Sequence, residues 1–203
     1  GHVLGLFLPF SSESFLSTPF PLSVDDAIKS NTVMAYSTAR VSQETYEASN
    51  FRIYDVVALQ HLYGKNVNKN TGDSLYEYDD TYDFHQTIID TDGVDTISVA
   101  NSERNNVIDL RGGKFSSIAP HFVGYHNWDL PEHLGRSHNS LSLDVDSVIE
   151  NATGGNGDDI LVANSVSNML DGGNGVDTAM FAGNKADYTV EIINSYTVIV
   201  TSV

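Results

Sequence analysis

Residues 154–180 read GGNGDDILVANSVSNMLDGGNGVDTAM and contain two copies of one nine-residue pattern. The first copy is GGNGDDILV at 154–162 and the second is GGNGVDTAM at 172–180, so they begin 18 residues apart. Glycines permit tight turns where other side chains would clash, and the apolar residues after each turn supply a short strand. The pattern therefore predicts stacked parallel strands joined by tight turns, which is a β-roll.

The same pattern predicts calcium binding, because inward-turned carbonyls and a carboxylate at the sixth position are hard oxygen ligands. The most economical site lies between two adjacent turns on one edge of the roll. Its six oxygens would come from the carbonyls of Gly155, Gly157, Gly172 and Asn174 and from the carboxylates of Asp159 and Asp177. On the opposite edge, residues 163–168 would face residues 181–185 without a well-placed carboxylate, so we expect calcium there to be weak or absent.

The composition excludes several classes of protein. The chain has 27 acidic and 10 basic residues and a formal net charge of −17. That charge argues against nucleic-acid binding and fits either loops that hold divalent cations or a soluble acidic surface. There is no cysteine, so disulfides and thiolate metal sites are excluded. No apolar run approaches the roughly 20 residues that a membrane-spanning helix needs.

The local patterns predict a mainly β fold with one short helix. Residues 51–63 form the helix candidate, which Gly64 would end. Its apolar stripe consists of Val56, Val57, Leu59, Leu62 and Tyr63. Short β-branched or alternating runs at 87–89, 96–99 and 107–110 predict strands. Residues 188–192 and 196–200 alternate around a polar turn, which predicts a hairpin that covers the end of the stack.

A second acidic cluster lies at residues 90–95, which read DTDGVD. Three carboxylates around a glycine are typical of a calcium loop, and they are equally typical of a solvated turn. The spacing alone leaves both interpretations open.

Two segments near the N-terminus are similar to parts of a zinc protease site. Residues 1–6, GHVLGL, match the second half of the zinc helix H-E-x-x-H-x-x-G-x-x-H, with His2 as its second histidine. Residues 31–37, NTVMAYS, resemble the methionine turn beneath such sites, with Tyr36 next to the zinc. Together with a following calcium repeat, these segments resemble the serralysin family, secreted bacterial zinc metalloendopeptidases of the metzincin clan that carry RTX repeats.

The resemblance covers most of the chain and implies two further calcium sites. The segments at 54–64, 71–76, 89–97 and 148–152 are similar to family segments. One calcium would be surrounded by Asn70, Gly72, Ser74, Asp90, Asp92 and Asp95. Another would be surrounded by Gly93, Asp95, Val148 and Glu150. Asn70 stands where the family usually has arginine and Ser74 where it has threonine, but both contacts are commonly made through backbone oxygen.

The zinc site is incomplete in this sequence. The first histidine and the catalytic glutamate would precede residue 1, and the third histidine is replaced by Leu8. Leucine cannot bind zinc, and no general base remains to activate a water molecule. We therefore expect His2 and Tyr36 to be vestigial, zinc to be absent and the chain to have no catalytic residue. The alternative is a fragment of an active zinc metalloendopeptidase whose N-terminal half lies outside this chain.

These expectations define two parts of the chain. Residues 1–50 would be a remnant of a metzincin catalytic domain, and residues 51–203 would form a serralysin-type C-terminal parallel β-roll or β-sandwich. Its function would be calcium binding coupled to folding in an extracellular bacterial protein with type I-like secretion. Apart from calcium and a missing protease half, we expect no partner, and we expect a monomer.

Residues 119–140 read as a surface insertion with the single tryptophan, Trp128. Its histidines are His121, His126, His133 and His138. Their spacing matches no compact metal-ligand motif, so an exposed polar loop is expected. Trp128 leaves a carbohydrate-binding or adhesive role open.

Overall fold

The computed structural model describes residues 4, 32–34, 50–66, 68–81, 84–118, 139–194 and 197–202. These residues contain one α-helix, α1 (Ile53–Tyr63), and a 3-10 helix at Lys185–Asp187. Their strands are β1 (Leu75–Glu77), β2 (Gln86–Ile88), β3 (Thr96–Ser98), β4 (Val107–Asp109), β5 (Phe115–Ser116), β6 (Leu141–Leu143), β7 (Asn151–Thr153), β8 (Ile160–Val162), β9 (Met169–Asp171), β10 (Thr178–Met180), β11 (Tyr188–Asn194) and β12 (Thr197–Ser202). The predicted mainly β fold with one short helix is confirmed.

Most strands pair in parallel and form two layers. The first layer has the strand order β1-β3-β7-β9, and all its pairs are parallel. The second layer contains the parallel sheet β10-β8-β4 and the sheet β2-β6-β5, in which β6 runs parallel to β2 and antiparallel to β5. From β1 to β4 and again from β7 to β10, the chain alternates between the layers, as in the predicted β-roll or β-sandwich.

The core lies between the two layers. Ile97 and Ala152 of the first layer and Ile108 and Leu161 of the second are at most 2% exposed. The other buried members are Ile88, Val99, Leu110, Ile118, Leu141, Leu143 and Ile149. Burying each large apolar side chain contributes about 1.5–3 kcal/mol. The last turn of the roll has little of this support, because every residue of β10 and two of the three in β9 are exposed.

The turns that connect the layers stack along two edges of the roll. The first edge consists of the turns 99–106, 154–159 and 172–177, which follow strands of the first layer. The second edge consists of the turns 70–74, 89–95, 144–150 and 163–168, which precede them. Parallel pairing keeps these turns in register, so equivalent residues of successive turns lie beside each other.

We call the residue directly before each strand its pre-strand position. On the first edge these are Asn106, Asp159 and Asp177, since β4, β8 and β10 pair in register from their first residues. On the second edge they are Ser74, Asp95, Glu150 and Asn168, before β1, β3, β7 and β9. Polar residues occupy every one of these positions.

Helix α1 forms where it was predicted, but its predicted apolar stripe is wrong. Gly64 ends the helix with a φ of 85°, and Ile53 and Val56 are buried. Val57, Leu62 and Tyr63 are instead exposed. Only the first turn of the helix is deeply buried, so the 3.6-residue period gives a misleading orientation.

A buried carboxylate holds that first turn. Asp55 Oδ2 accepts the N–H groups of Arg52 at 2.9 Å and Val33 at 2.8 Å, and its Oδ1 accepts the hydroxyl of Thr32 at 2.5 Å. Asp55 thus caps the helix and also ties residues 32–33 to it.

The predicted hairpin forms, but it does not cover the end of the stack. β11 and β12 pair antiparallel with each other in a separate two-stranded sheet. They pair with neither β9 nor β10, and the described residues of those two strands stay largely exposed. The prediction of a covering hairpin is therefore wrong, because pairing within the hairpin needs no contact with the roll.

Two predicted regions lie mostly outside the described residues. Of the expected metzincin remnant, only residues 4, 32–34 and 50 are described, and of the predicted insertion at 119–140, only residues 139 and 140 are described. The division at residue 50 stays a prediction. Within the described ranges, no helix is long and apolar enough to cross a membrane.

Candidate metal centre

On the first edge, carboxylates connect successive turns. Asp159 is 1% exposed, and its Oδ1 accepts the N–H of Asn106 at 2.6 Å while its Oδ2 accepts the N–H of Gly155 at 2.6 Å. Asp177 Oδ1 accepts the N–H of Asp159 at 2.9 Å. Each carboxylate therefore satisfies backbone donors and places negative charge in the gap between two turns.

The six residues predicted to form the repeat site lie in two adjacent turns of this edge. Gly155, Gly157 and Asp159 belong to the turn 154–159, and the others belong to the turn 172–177. The carbonyl of Gly155 accepts the N–H of Asn174 at 2.9 Å. The Asp177 carboxylate lies against the Cα of Gly172, where an added Cβ would be 2.4 Å from Asp177 Oδ2. The turns are thus stacked closely enough for both carboxylates to border one gap.

On the second edge, the same arrangement surrounds Asp95. Asp95 Oδ1 accepts the N–H of Ser74 at 2.8 Å, and Glu150 Oε2 accepts the N–H of Asp95 at 2.8 Å. Asp90 Oδ2 accepts the hydroxyl of Tyr76 at 2.5 Å. Three carboxylates consequently face the junction of β1, β3 and β7.

Two oxygens in this cluster are buried without a hydrogen-bond partner. They are Asp90 Oδ1 and Asp95 Oδ2, and both residues are at most 1% exposed. Burial raises the pKa of Asp95 to about 6; the N–H of Ser74 opposes this shift, and the charges of Asp90 and Glu150 add to it. Buried charges in proteins are paired or coordinate metals, so a hard cation fits these oxygens.

The remaining predicted ligands of the second edge lie around this cluster. The Asn70 side chain donates to Tyr76 Oη and to the carbonyl of Ile89, each at 3.0 Å. Gly93 packs closely on Gly72, and a Cβ added to Gly93 would lie 2.7 Å from the carbonyl carbon of Gly72. Asp92, by contrast, is exposed and accepts the N–H of Gly93 at 3.0 Å.

Other predictions have a weaker or no structural counterpart. The side chain of Val148 is exposed, so only its backbone could reach an ion. His2 and Tyr36 lie outside the described residues. Among the described residues, no three His, Cys, Asp or Glu side chains form a group that could hold a metal by themselves. A cation here would therefore depend on backbone carbonyls as well as carboxylates.

Comparison with known proteins identifies relatives of this chain by sequence. The chain is 31% identical over 188 residues to the protein named serralysin of Proteus mirabilis, an alignment that covers 84% of this chain and 35% of the relative. It is 28% identical to serralysin G of Dickeya chrysanthemi over 189 residues, covering 84% of this chain and 36% of that protein. This chain is a homologue of the serralysins. No protein-family model matches it.

This chain is also similar to a protein named as a metalloprotease. The chain is 28% identical over 194 residues to metalloprotease AprA of Pseudomonas entomophila, an alignment that covers 84% of this chain and 36% of that protein. The chain spans about a third of the length of these relatives, which is consistent with a C-terminal part of a serralysin-family protein.

The sequence patterns did not predict several polar residues of the turns in this chain. Asn106 and Asn168 occupy pre-strand positions, and Asp73 accepts the N–H of Val94 at 2.9 Å. Asn106 directly precedes one of the predicted strands, which was the available signal. Its equivalence to Asp159 was hidden because the intervening chain is far longer than one repeat.

The raised pKa of Asp95 predicts that the cation-free protein is less stable at neutral pH than at acidic pH. The folded-state pKa of about 6 lies above the usual value of 3.8, so the folded state binds more protons, and stability is lost as pH rises through the folded pKa. In buffer from which calcium has been removed by a chelating resin, we expect the free energy of unfolding of Asp95→Asn, relative to wild type, to rise by on the order of 2 kcal/mol between pH 4 and pH 7. Urea unfolding of both proteins at pH 4 and pH 7 measures this effect. The prediction is contradicted if the variant and the wild type differ in free energy of unfolding by the same amount at both pH values.

Proposed function

We propose that this chain is a calcium-binding β-roll module of a secreted bacterial serralysin-like protein and that it folds on binding calcium. The observation that carries the proposal is the pair of buried, unpartnered oxygens Asp90 Oδ1 and Asp95 Oδ2. Glu150 accepts a hydrogen bond from the backbone N–H of Asp95. The three carboxylates therefore concentrate negative charge that a divalent cation would neutralise.

The proposed ligands form three sets. At the first edge they are Gly155, Gly157, Asp159, Gly172, Asn174 and Asp177. At the second edge one set is Asn70, Gly72, Ser74, Asp90, Asp92 and Asp95, and the other is Gly93, Asp95, Val148 and Glu150. Asp95 belongs to both second-edge sets, so its carboxylate is the most informative one to change.

The net charge of −17 also supports coupling between calcium and folding. Where calcium is scarce, the acidic turns repel one another and the roll is destabilised. Where calcium is millimolar, as outside the cell, binding energy becomes folding energy. This fits an extracellular location after export; no zinc chemistry is required for it.

Calcium titration by calorimetry tests the proposal. Asp95→Asn is expected to lower calcium affinity at the second edge by at least about tenfold, since it removes a charged ligand. Asp79→Asn is the matched control, because Asp79 is exposed and accepts the N–H of Thr81. Absence of calcium binding by the wild-type chain, or equal affinities in all three proteins, would refute the proposed function.

A second candidate function is that of a fragment of an active zinc metalloendopeptidase. It is favoured by the similarity to metalloprotease AprA and weakened by Leu8 in place of a zinc-ligating histidine. Zinc analysis and casein cleavage by the full-length reading frame decide between the two. Stoichiometric zinc together with cleavage would establish the enzyme.

A further inference from the structure

We propose that the side-chain amides of Asn106 and Asn168 take the place of a cation in the gaps that they border. Calcium is thereby excluded from these two gaps. A gap here means the space between two stacked turns, bounded by their two pre-strand residues. The inference rests on the proposed calcium-binding function and specifies which gaps of the roll serve it.

Asn106 closes the first-edge gap that it shares with Asp159. Its Nδ2 lies 2.7 Å from the carbonyl oxygen of Arg104, 3.0 Å from Asp159 Oδ1 and 3.2 Å from Ser102 Oγ. Asn106 is only 1% exposed. One nitrogen is thus surrounded by three oxygens drawn from both turns, which is the position that a bridging cation would need.

Asn168 closes the second-edge gap that it shares with Glu150. Its Nδ2 donates to the carbonyl of Glu150 and to Asn164 Oδ1, each at 2.9 Å. Asn164 Nδ2 in turn donates to the carbonyls of Ile149 at 2.8 Å and Leu110 at 3.1 Å. The carbonyl oxygens of Glu150, Ile149 and Leu110 therefore already accept hydrogen bonds from side-chain amides.

The gaps bordered by two acids are different. In the Asp159/Asp177 and Asp95/Glu150 gaps, the contact between the two pre-strand residues is a backbone N–H donated to a carboxylate. In the latter, Asp95 Oδ2 stays buried without a hydrogen bond. Each of these gaps holds two acidic side chains, whose negative charge a divalent cation would compensate.

The physical difference is one of charge. A side-chain NH₂ group presents two donors and no net charge, so it satisfies inward-facing oxygens at any calcium concentration. A carboxylate at the same position would repel its acidic neighbour without calcium and would supply two oxygen ligands with it. Asn106 and Asn168 therefore make their gaps calcium-independent, whereas the acid–acid gaps depend on calcium.

The substitution Asn106→Asp tests this inference in the full chain. We expect the N106D protein to bind one more calcium per chain than wild type, counted by equilibrium dialysis and elemental analysis. We also expect its melting temperature to depend more steeply on calcium. Asn105→Asp is the matched control, because Asn105 is exposed and an aspartate there can still accept the N–H of Asp158, which Asn105 Oδ1 accepts at 3.0 Å. N105D should retain the wild-type count.

The outcomes separate this inference from the proposed function. An N106D protein that folds with the wild-type calcium count overturns the inference, and so does one that fails to fold in saturating calcium, since a created site must stabilise the bound state. An equal gain in N105D also overturns it. Absence of calcium in the wild type refutes the proposed function, whereas a gain of one ion by N106D would still support the amide substitution.

Discussion

Removal of calcium by EGTA is expected to unfold the last turn of the roll, from β9 to the end of β10, while the strands nearer the core lose less structure. The last turn of the roll depends on Asp159 and Asp177, and its strands β9 and β10 bury few side chains. Without apolar burial to offset the conformational entropy of these residues, ion binding is the main remaining source of stability. A site filled at 100 times its dissociation constant contributes about 2.7 kcal/mol.

Hydrogen–deuterium exchange with and without EGTA measures this effect along the chain. We expect loss of protection at β9 and β10 and retained protection at β3 and β4, whose Ile97 and Ile108 are fully buried. Calcium should restore the protection, and circular dichroism should follow the same transition. Equal exchange and equal melting curves in both buffers would show that the fold does not depend on calcium.

Gly154→Ala is expected to be a strongly destabilising methyl addition in the repeat. A Cβ at Gly154 would lie 2.2 Å from the carbonyl oxygen of Gly172 and 2.6 Å from Asp159 Oδ2. Relieving such an overlap would push the turn 172–177 away from the turn 154–159 and misplace a buried carboxylate. The expected cost is about 3 kcal/mol, which corresponds to a fall of roughly 6–12 °C in melting temperature for a domain of this size.

Gly72→Ala is the control for that substitution. An added Cβ at Gly72 meets no atom within 4 Å, so we expect a change in stability of less than about 1 kcal/mol. Both variants should be melted in saturating calcium, where ion binding cannot mask the packing effect. Similar melting temperatures for G154A and G72A would show that the turns are not stacked as closely as described.

Much of the architecture could be predicted from local patterns. The nine-residue repeat predicted parallel strands at β8 and β10, and β-branched runs predicted β2, β3 and β4 within one residue of their observed bounds. The repeat also predicted that Asp159 and Asp177 lie on one edge. These features depend on the spacing of residues close together in the chain, which a sequence displays directly.

The helix and the hairpin show where local patterns mislead. Both elements form as predicted, but the side of α1 that is buried and the position of the hairpin depend on what they pack against. A buried carboxylate, Asp55, anchors α1 through its first turn, and the periodicity of its apolar residues carried no information about that contact.

By itself, the sequence determined that the chain is a mainly β, acidic protein with glycine-turn repeats and candidate carboxylate ligands, because composition and short spacings are local properties. Only the tertiary structure decided which of these polar residues share a gap. Asp95 meets Glu150, and Asn106 meets Asp159, across 55 and 53 residues respectively. Such neighbours are set by the register of parallel strands, which is fixed by packing around the core and not by separation along the chain.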